Sequence, residues 1–345
     1  MKVSIVIPIY NTALFVGDCL CSVLNQTWAD LEVIIVNDCT PDNSMQVVEE
    51  VLSSCSYHPD VKVITHEVNK GISGTRNTGI QNATGDYVYF LDSDDYISPD
   101  CIELLASQAM LYDADVVVGS FEAIGNAHGY ASGLNFSGLL DTNEAIIQSY
   151  VKDEWPVMVW NKLVRRELIL KYNLFFEENI VHEDDLWSFR LSCCARRAYG
   201  LPRNTYFYVL HSGSLMAKAS PIKLHSRIKV LELIYDEIIS SEKLLANPYI
   251  YFFFETLKAR YFDVIMYNSA DCNLWRRVYA IIREKQYITA LRASFTRRVS
   301  LVMFFRNLHY MLPESCGYVY FCVFVKCSYY FKVLPIKMRN LFVHK

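Results

Sequence analysis

Short runs of β-branched and other apolar residues alternate with helix-like segments along the first 120 residues of the chain. This alternation is typical of βαβ units on a mostly parallel sheet. The predicted strands are Val3–Ile7, Leu31–Val36, Val61–Thr65, Tyr87–Leu91 and Asp115–Val118. Thr40-Pro41 and Ser98-Pro99 each place a hydroxyl side chain before a proline, so we predict that helices begin at both prolines.

The pattern changes after the predicted sheet. A stretch rich in Gly, Ser and Asn, from about residue 125 to 140, predicts a loop or a small hairpin. Helical periodicity returns near Asn143–Val151, and most of the chain after Ile222 is helix-like with aromatic faces. We therefore expect an α/β domain over residues 1–218, followed by a mainly helical C-terminal region over residues 219–345.

Composition is that of a folded protein. Hydrophobic residues make up 52% of the chain, with 24 Tyr and 19 Phe, which excludes an intrinsically disordered protein. The 11 Cys are scattered without the paired spacing of a metal site, so we expect reduced and mostly buried thiols. The first strand-like run begins at Val3, which leaves no room for a secretory signal, and a cytoplasmic location is expected.

Charge is unevenly distributed along the chain. Residues 276–345 hold 13 Lys and Arg against two acidic residues, although the whole chain has a net charge of −4. A basic tail that is also rich in Phe, Tyr and Leu favours an anionic partner, and a bilayer headgroup surface is the commonest one in a cytosol. A helical region whose basic residues are simply solvated is the alternative. Nucleic acid is not expected because no binding motif accompanies the charge.

Spanning of a membrane is not predicted by the hydrophobic pattern. The longest apolar stretch, Cys316–Val325, stops at Lys326, after about half of the roughly 20 residues that a spanning helix needs. Any membrane attachment is therefore expected to be peripheral.

Polar residues follow three of the predicted strands directly. They read Pro8-Ile9-Tyr10-Asn11 after the first strand, Asn37-Asp38 after the second, and Asp92-Ser93-Asp94-Asp95 after the fourth. In an open α/β sheet, ligands bind outside the carboxyl ends of the strands. The sequence therefore predicts a binding site at this edge of the sheet.

The acidic group Asp92, Asp94 and Asp95 would repel itself unless a cation or hydrogen-bond donors offset its charge. Carboxylate oxygens on a strand end suit Mg²⁺ or Mn²⁺, which take further ligands from phosphate and water. Such an ion, bridging a diphosphate, would stabilise a leaving group. The alternative is a polar turn that caps the helix after Ser98.

Two further segments permit either a functional or a structural interpretation. Residues 69–77 form a glycine-containing turn that runs into a helix, where backbone amides and Arg76 favour an anion, although ordinary helix capping is the alternative. His182-Glu183-Asp184-Asp185 should form the first turn of a helix. One of these carboxylates is a candidate general base, but acids there also complement the helix dipole. His211 would either complete a metal site or be structural.

Seven motifs, taken together and in order, resemble glycosyltransferase family 2, whose members are inverting nucleotide-sugar enzymes with the α/β domain called GT-A. The resemblance covers roughly residues 1–215. The motifs are VSIVIPIYN, VIIVNDCTPDNS, NKGISGTRNTGI, GDYVYFLDSDD, VWNKLVRRELI, IVHEDDLW and YVLHSGS.

The resemblance implies a nucleotide-binding set in which Pro8 and Tyr10 line the base pocket, Asp38 hydrogen-bonds the base and Arg76 holds the nucleotide. Asp94 would ligate a Mn²⁺ or Mg²⁺ ion together with His211, and Asp92 would contact the ribose or the ion.

For the rest of the site, the resemblance implies that Asp184 is the catalytic base, with Glu183 and Asp185 beside it. An error of one residue in the motif register would make Asp185 the base. Trp160 and Lys162 would shape the donor or acceptor pocket, and Asp95 would orient the donor sugar.

The activity implied is transfer of a sugar from a UDP-hexose or UDP-N-acetylhexosamine to a hydroxyl group of a saccharide, in cell-surface polysaccharide synthesis. A lipid-linked acceptor would account for the basic aromatic tail, with the protein on the inner face of the cytoplasmic membrane. Two alternatives remain, a catalytically inactive scaffold that binds a nucleotide sugar and a nucleotidyltransferase. The latter normally has a basic glycine-rich motif after the first strand, where this chain has PIYN.

Overall fold

A computed structural model describes residues 1–55, 59–125, 133–154, 156–211, 221–285 and 301–327. The chain divides into two compact units, Met1–Lys218 and Ala219–Lys345.

The first unit is built on a mixed sheet, which has nine strands within the described residues, in the order β3-β2-β1-β4-β8-β6-β9-β5, with β7 beside β9. Strands β1 to β4 pair in parallel, and so do β6 and β9, whereas β8 runs antiparallel to both β4 and β6. The strands are β1 Val3–Ile9, β2 Leu31–Asn37, β3 Asp60–Thr65, β4 Tyr87–Phe90, β5 Tyr96–Ile97, β6 Val116–Ile124, β7 Gly138–Leu140, β8 Lys162–Arg165 and β9 Ala198–Val209. The predicted α/β fold class is confirmed.

Burial explains why the strand runs are almost continuously apolar. Every residue of β1 and β4 is buried, and so are six of the seven residues of β2, as expected for parallel strands covered on both faces. Edge strand β3 instead consists of exposed and partly buried residues. The sheet core therefore lies at β2-β1-β4, whose carboxyl ends share one edge.

Helices cover the sheet in the first unit. They are α1 Val16–Leu24, α2 Ser44–Ser54, α3 Gly71–Asn82, α4 Cys101–Tyr112, α5 Asn143–Val151, α6 Arg166–Lys171 and α7 Glu183–Cys194. Helix α5 confirms the periodicity seen near Asn143. Helix α7 confirms that Glu183, Asp184 and Asp185 form the first turn of a helix, whereas His182 precedes it as the N-cap residue. The predicted loop or hairpin contains β7, and its residues 126–132 lie outside the described part of the chain.

The predicted helix starts at Pro41 and Pro99 are wrong. Helix α2 begins at Ser44, because the Asp42 carboxylate accepts hydrogen bonds from Thr40 Oγ1 and from Ser44 and so holds a turn before the helix. Helix α4 begins at Cys101. The Pro99 carbonyl accepts from the backbone amide of Thr27 instead of opening the helix.

The second unit is helical in all its described residues that form regular structure. Its elements are α8 Pro221–Ser240, α9 Glu242–Leu245, α10 Pro248–Asn268, α11 Cys272–Glu284, α12 Leu301–Asn307, a 3₁₀ helix Leu308–Met311, and helical residues 314–327. Phe254, Phe262, Tyr279 and Phe321 lie in its core. Buried Lys258 and Glu255 form an ion pair there, with Nζ and Oε1 2.8 Å apart.

The expectation of mostly buried thiols is wrong. Only Cys19 and Cys101 of the 11 cysteines are buried, whereas five are exposed. Several lie on amphipathic helices, and the helix face on which a cysteine lies depends on packing that spacing alone does not reveal.

No described helix combines the length and the apolar character needed to cross a bilayer.

Candidate active site

The polar residues that follow the strands meet at the carboxyl edge of β1, β2 and β4. Pro8 is buried within β1, opposite Val36, whereas the side chain of Tyr10, just beyond the strand, is 46% exposed. Of these two predicted base-pocket residues, only Tyr10 therefore offers an accessible ring face. Pro8 contributes the shape of the strand behind it.

Asp38 organises the loop that precedes α3. It is 3% exposed, and its carboxylate accepts hydrogen bonds from the backbone amides of Lys70 and Gly71, both at 2.8 Å. His66 Nδ1 lies 2.8 Å from Asp38 Oδ1. Gly71 has a φ of 73°, a conformation that favours glycine. Asp38 thus holds two strand ends and a helix start together.

Arg76 lies at the centre of the site. Its guanidinium, in a residue only 4% exposed, donates from Nη1 to Glu183 Oε1 and from Nη2 to Asp92 Oδ1, both at 2.8 Å. The two carboxylates outweigh the effect of burial and raise the pKa of Arg76. The Arg76 guanidinium therefore joins Asp92, after β4, to Glu183 in the first turn of α7.

The three aspartates after β4 have different surroundings. Asp94 Oδ2 lies 2.9 Å from His211 Nε2, and burial, followed by repulsion from Asp92, raises its pKa. Asp95 is buried, and its carboxylate accepts from Tyr206 Oη at 2.5 Å and from the Val209 amide at 2.7 Å. Burial, with repulsion from Asp94, raises its pKa to about 8. Asp95 thus holds strand β9, while Asp94 and His211 form an oxygen and imidazole pair.

The polar side chains at the start of α7 are crowded together. A ring nitrogen of His182 and carboxylate oxygens of Asp184 and Asp185 lie within 4.8 Å of one another. Burial, followed by repulsion from Asp185 and Glu183, raises the pKa of Asp184 to about 8, and Arg76 opposes the shift. The raised pKa makes Asp184 a stronger base than an ordinary aspartate.

Trp160 and Lys162 lie beneath the site surface. Trp160 is 5% exposed and stacks on Tyr206, with ring centroids 4.3 Å apart. Lys162 is 1% exposed. Asn161, between them, has a φ of 58° and donates from Nδ2 to the Ser120 carbonyl at 2.8 Å. Trp160 and Lys162 are therefore buried side chains, and the role of either one in a donor or acceptor pocket stays a prediction.

The structure adds residues that sequence reasoning did not single out. Asn77, next to Arg76, donates from Nδ2 to the Phe176 carbonyl at 2.9 Å and accepts from the Phe176 amide at 2.8 Å. It thereby anchors the loop that leads into α7. Asn77 lies within the motif NKGISGTRNTGI, and its place beside Arg76 in that motif is the signal that could have identified it. His66 follows an edge strand and had no comparable signal.

Comparison with known proteins identifies the family of this chain. Residues 4–171 match the model of glycosyl transferase family 2. The chain is 32% identical over 220 residues to "Uncharacterized glycosyltransferase YibD" of Escherichia coli, covering 62% of this chain and 63% of that protein. It is 30% identical over 227 residues to "Glycosyltransferase GlyG" of Streptococcus pneumoniae, covering 62% of this chain and 72% of GlyG. The match thus spans less than two thirds of YibD.

Among solved structures, S. aureus TarS 1–349 in complex with UDP-GlcNAc superposes with a TM-score of 0.74. The superposition covers 94% of this chain and 91% of the TarS chain, at 20% sequence identity. At that identity the likeness establishes the fold.

Proposed function

Because the chain belongs to glycosyl transferase family 2, we propose that it transfers a hexose or N-acetylhexosamine from a UDP donor to a hydroxyl group of a saccharide, with inversion at the anomeric carbon. The observation that supports this most is Arg76, a single buried guanidinium bonded to both Asp92 and Glu183. It joins a strand end suited to a nucleotide diphosphate with the helix that carries Asp184. A scaffold that only binds a nucleotide sugar has no need of the helix that carries Asp184.

Donor binding would use the carboxyl edge of the sheet. The exposed ring of Tyr10 would stack on the base, and one lone pair on the Asp38 carboxylate remains for a base N–H after the loop amides and His66 are counted. The structurally similar TarS was solved in complex with UDP-GlcNAc, which makes a UDP-sugar the first donor to test.

A divalent cation, Mn²⁺ or Mg²⁺, fits the pair Asp94 and His211, with Asp92 beside them. Carboxylate oxygen and imidazole nitrogen are ligand atoms that Mn²⁺ accepts. Burial and the neighbouring Asp92 raise the pKa of Asp94, and a bound cation would favour its ionised form. When bound, the cation would stabilise the charge on the departing diphosphate.

Asp184 would be the general base. Its pKa of about 8 is close to the operating pH, where a base combines sufficient ionisation with sufficient proton affinity. It would take the proton from the acceptor hydroxyl as that oxygen attacks the sugar from the face opposite the diphosphate. A carboxylate that ligates a metal is a poor base, and for this reason we place the cation at Asp94 and not in the group around Asp184.

The test is a thermal-shift panel of UDP, UDP-sugars and GDP-mannose, with and without Mn²⁺, followed by an assay of UDP release. A ligand that binds only the native state raises the melting temperature. We expect a Mn²⁺-dependent shift with UDP-sugars, which Asp94→Ala loses and Asp184→Asn keeps. Absence of any nucleotide shift in the wild type would contradict the proposal.

Turnover separates the alternatives. Donor binding by the wild type without UDP release or transfer to any saccharide would identify a scaffold. Release of pyrophosphate from UTP and a sugar phosphate would identify a nucleotidyltransferase.

A further inference from the structure

Lys162 is a buried lysine that contacts no carboxylate at ion-pair distance among the described residues. Its ammonium instead donates to two backbone carbonyls of the loop before β8, those of Pro156, at 2.8 Å, and of Met158. Burying an ammonium is costly unless its hydrogen bonds are satisfied. A purely structural position would tolerate an apolar side chain at lower cost.

The carbonyl between these two is also held. Ser188 Oγ, on α7, donates to the Val157 carbonyl. Three successive carbonyls of segment 156–158 are therefore fixed, two by Lys162 and one by Ser188. The segment is attached both to the sheet, through β8, and to α7.

Helix geometry places this segment beside Asp184. Residues four apart lie on the same face of a helix, one above the other, so Ser188 and Asp184 share a face of α7. Charge agrees with this placement. Burial lowers the pKa of Lys162 to about 7, and the Asp184 carboxylate opposes that shift.

We propose that Lys162 is a positioning residue, which holds segment 156–158 as a fixed wall of the acceptor site next to Asp184. This inference rests on the proposed function, since it assigns this side of α7 to the acceptor saccharide. The donor side, by contrast, lies at Asp92 and Asp94, beyond Arg76. Lys162 itself is too deeply buried to contact the acceptor and acts through the three carbonyls.

The experiment compares Lys162→Met, which keeps the length of the stem and removes the ammonium, with the wild type. Ser188→Ala removes the other attachment and covers the case in which Lys162→Met fails to fold. The matched control is Lys152→Met, because Lys152 lies in the same loop but is exposed and pairs with Glu154.

Initial rates are measured with UDP-GlcNAc and a panel of nitrophenyl glycosides as acceptor probes, and UDP affinity is measured separately. For Lys162→Met we expect kcat/KM for the acceptor to fall about tenfold or more. Its UDP affinity and its donor hydrolysis without acceptor should stay within about twofold of the wild type. Ser188→Ala should show a smaller loss of the same kind. An unchanged acceptor kcat/KM, or an equal loss for donor and acceptor, would overturn the proposal.

Hydrogen exchange gives a readout that does not depend on transfer. Amides of residues 184–190 should exchange faster in Lys162→Met, whereas those of α3 should not change. If residues 184–190 keep their protection, the positioning role is wrong even in an active enzyme. A wild type that neither binds nor hydrolyses UDP-sugars would instead refute the proposed function, while this measurement would still decide the role of Lys162.

Discussion

Arg76 and Asp38 each bond to two separate parts of the chain in this site. Both were predicted from sequence as nucleotide contacts, and that role remains a prediction. The structure shows in addition that each one holds other parts of the chain, Arg76 through Asp92 and Glu183, and Asp38 through the amides of Lys70 and Gly71. Sequence could identify which residues are special, but their partners lie up to 107 positions away and follow only from the fold.

Asp184→Asn should lower transfer about 100- to 10,000-fold, the usual contribution of a general base, while leaving UDP affinity unchanged. Asp185→Asn is the matched control, because the two residues are adjacent and carry the same side chain. Retained activity in Asp184→Asn with loss in Asp185→Asn would show that the base has been assigned one residue too early.

Asp184→Asn should also stabilise the folded protein at alkaline pH. The pKa of Asp184 is about 8 in the folded state, against 3.8 as its ordinary value, so the folded chain holds a proton that the unfolded chain releases between those two pH values. Stability therefore falls as pH rises through this window, and Asp184→Asn removes that loss. We expect a gain of about 1–3 kcal/mol in the free energy of unfolding at pH 8, disappearing near pH 4. The measurement is denaturant unfolding of both proteins at pH 8 and pH 4. A gain in the free energy of unfolding that is larger at pH 4 than at pH 8 would contradict the prediction.

At the scale of elements, the pattern of apolar residues predicted the strands of the parallel half well, because β1, β2 and β4 are buried on both faces. The starts of α2 and α4 were missed because tertiary hydrogen bonds compete with local capping signals. One example is the bond that the Ala13 amide donates to the Asp42 carboxylate, at 3.0 Å. Strand β8 was not predicted either. It has four residues, and it inserts antiparallel between β4 and β6, a position that depends on long-range pairing.

Packing of α3 on the sheet provides a stability test. A Cβ atom at Gly79 would lie 2.2 Å from Cγ1 of Val6 in β1, so Gly79→Ala should push α3 away from the sheet. We expect a loss of about 1–3 kcal/mol in the free energy of unfolding, as for other overpacked cores.

Gly17→Ala, in α1, is the control for Gly79→Ala. Its Cβ would make an ordinary contact of 3.5 Å with Val47, so a small gain of about 0.4–1 kcal/mol is expected from the stiffer unfolded chain. Equal effects of the two substitutions in denaturant titrations would contradict this packing argument.

For the whole molecule, the contrast in charge is the main feature not explained by the catalytic proposal. The basic residues concentrate in 276–345, and Arg276 and Arg277 are exposed on α11. Apolar Val319 and Val323 are also exposed, by 60% and 56%. We propose that this region contacts an anionic bilayer, where a lipid-linked acceptor would be found.

Replacement of Arg276 and Arg277 by Ser should weaken sedimentation with phosphatidylserine vesicles, by about 1 kcal/mol per residue near the surface, and the wild-type binding should decrease as salt shortens the Debye length. Arg203→Ser is the control, since Arg203 is exposed but belongs to the first unit and pairs with Asp100. If vesicle binding changes neither with salt concentration nor on replacement of Arg276 and Arg277, an electrostatic contact is excluded.

The shared guanidinium of Arg76 has a consequence for how the two substrates influence each other. If donor binding changes the pair between Arg76 and Asp92, the pair between Arg76 and Glu183 must adjust, and with it the turn that carries Asp184. Linkage then requires reciprocity, so that the factor by which donor alters acceptor affinity equals the factor by which acceptor alters donor affinity. A family of acceptors could therefore tune how tightly the nucleotide is held without touching it.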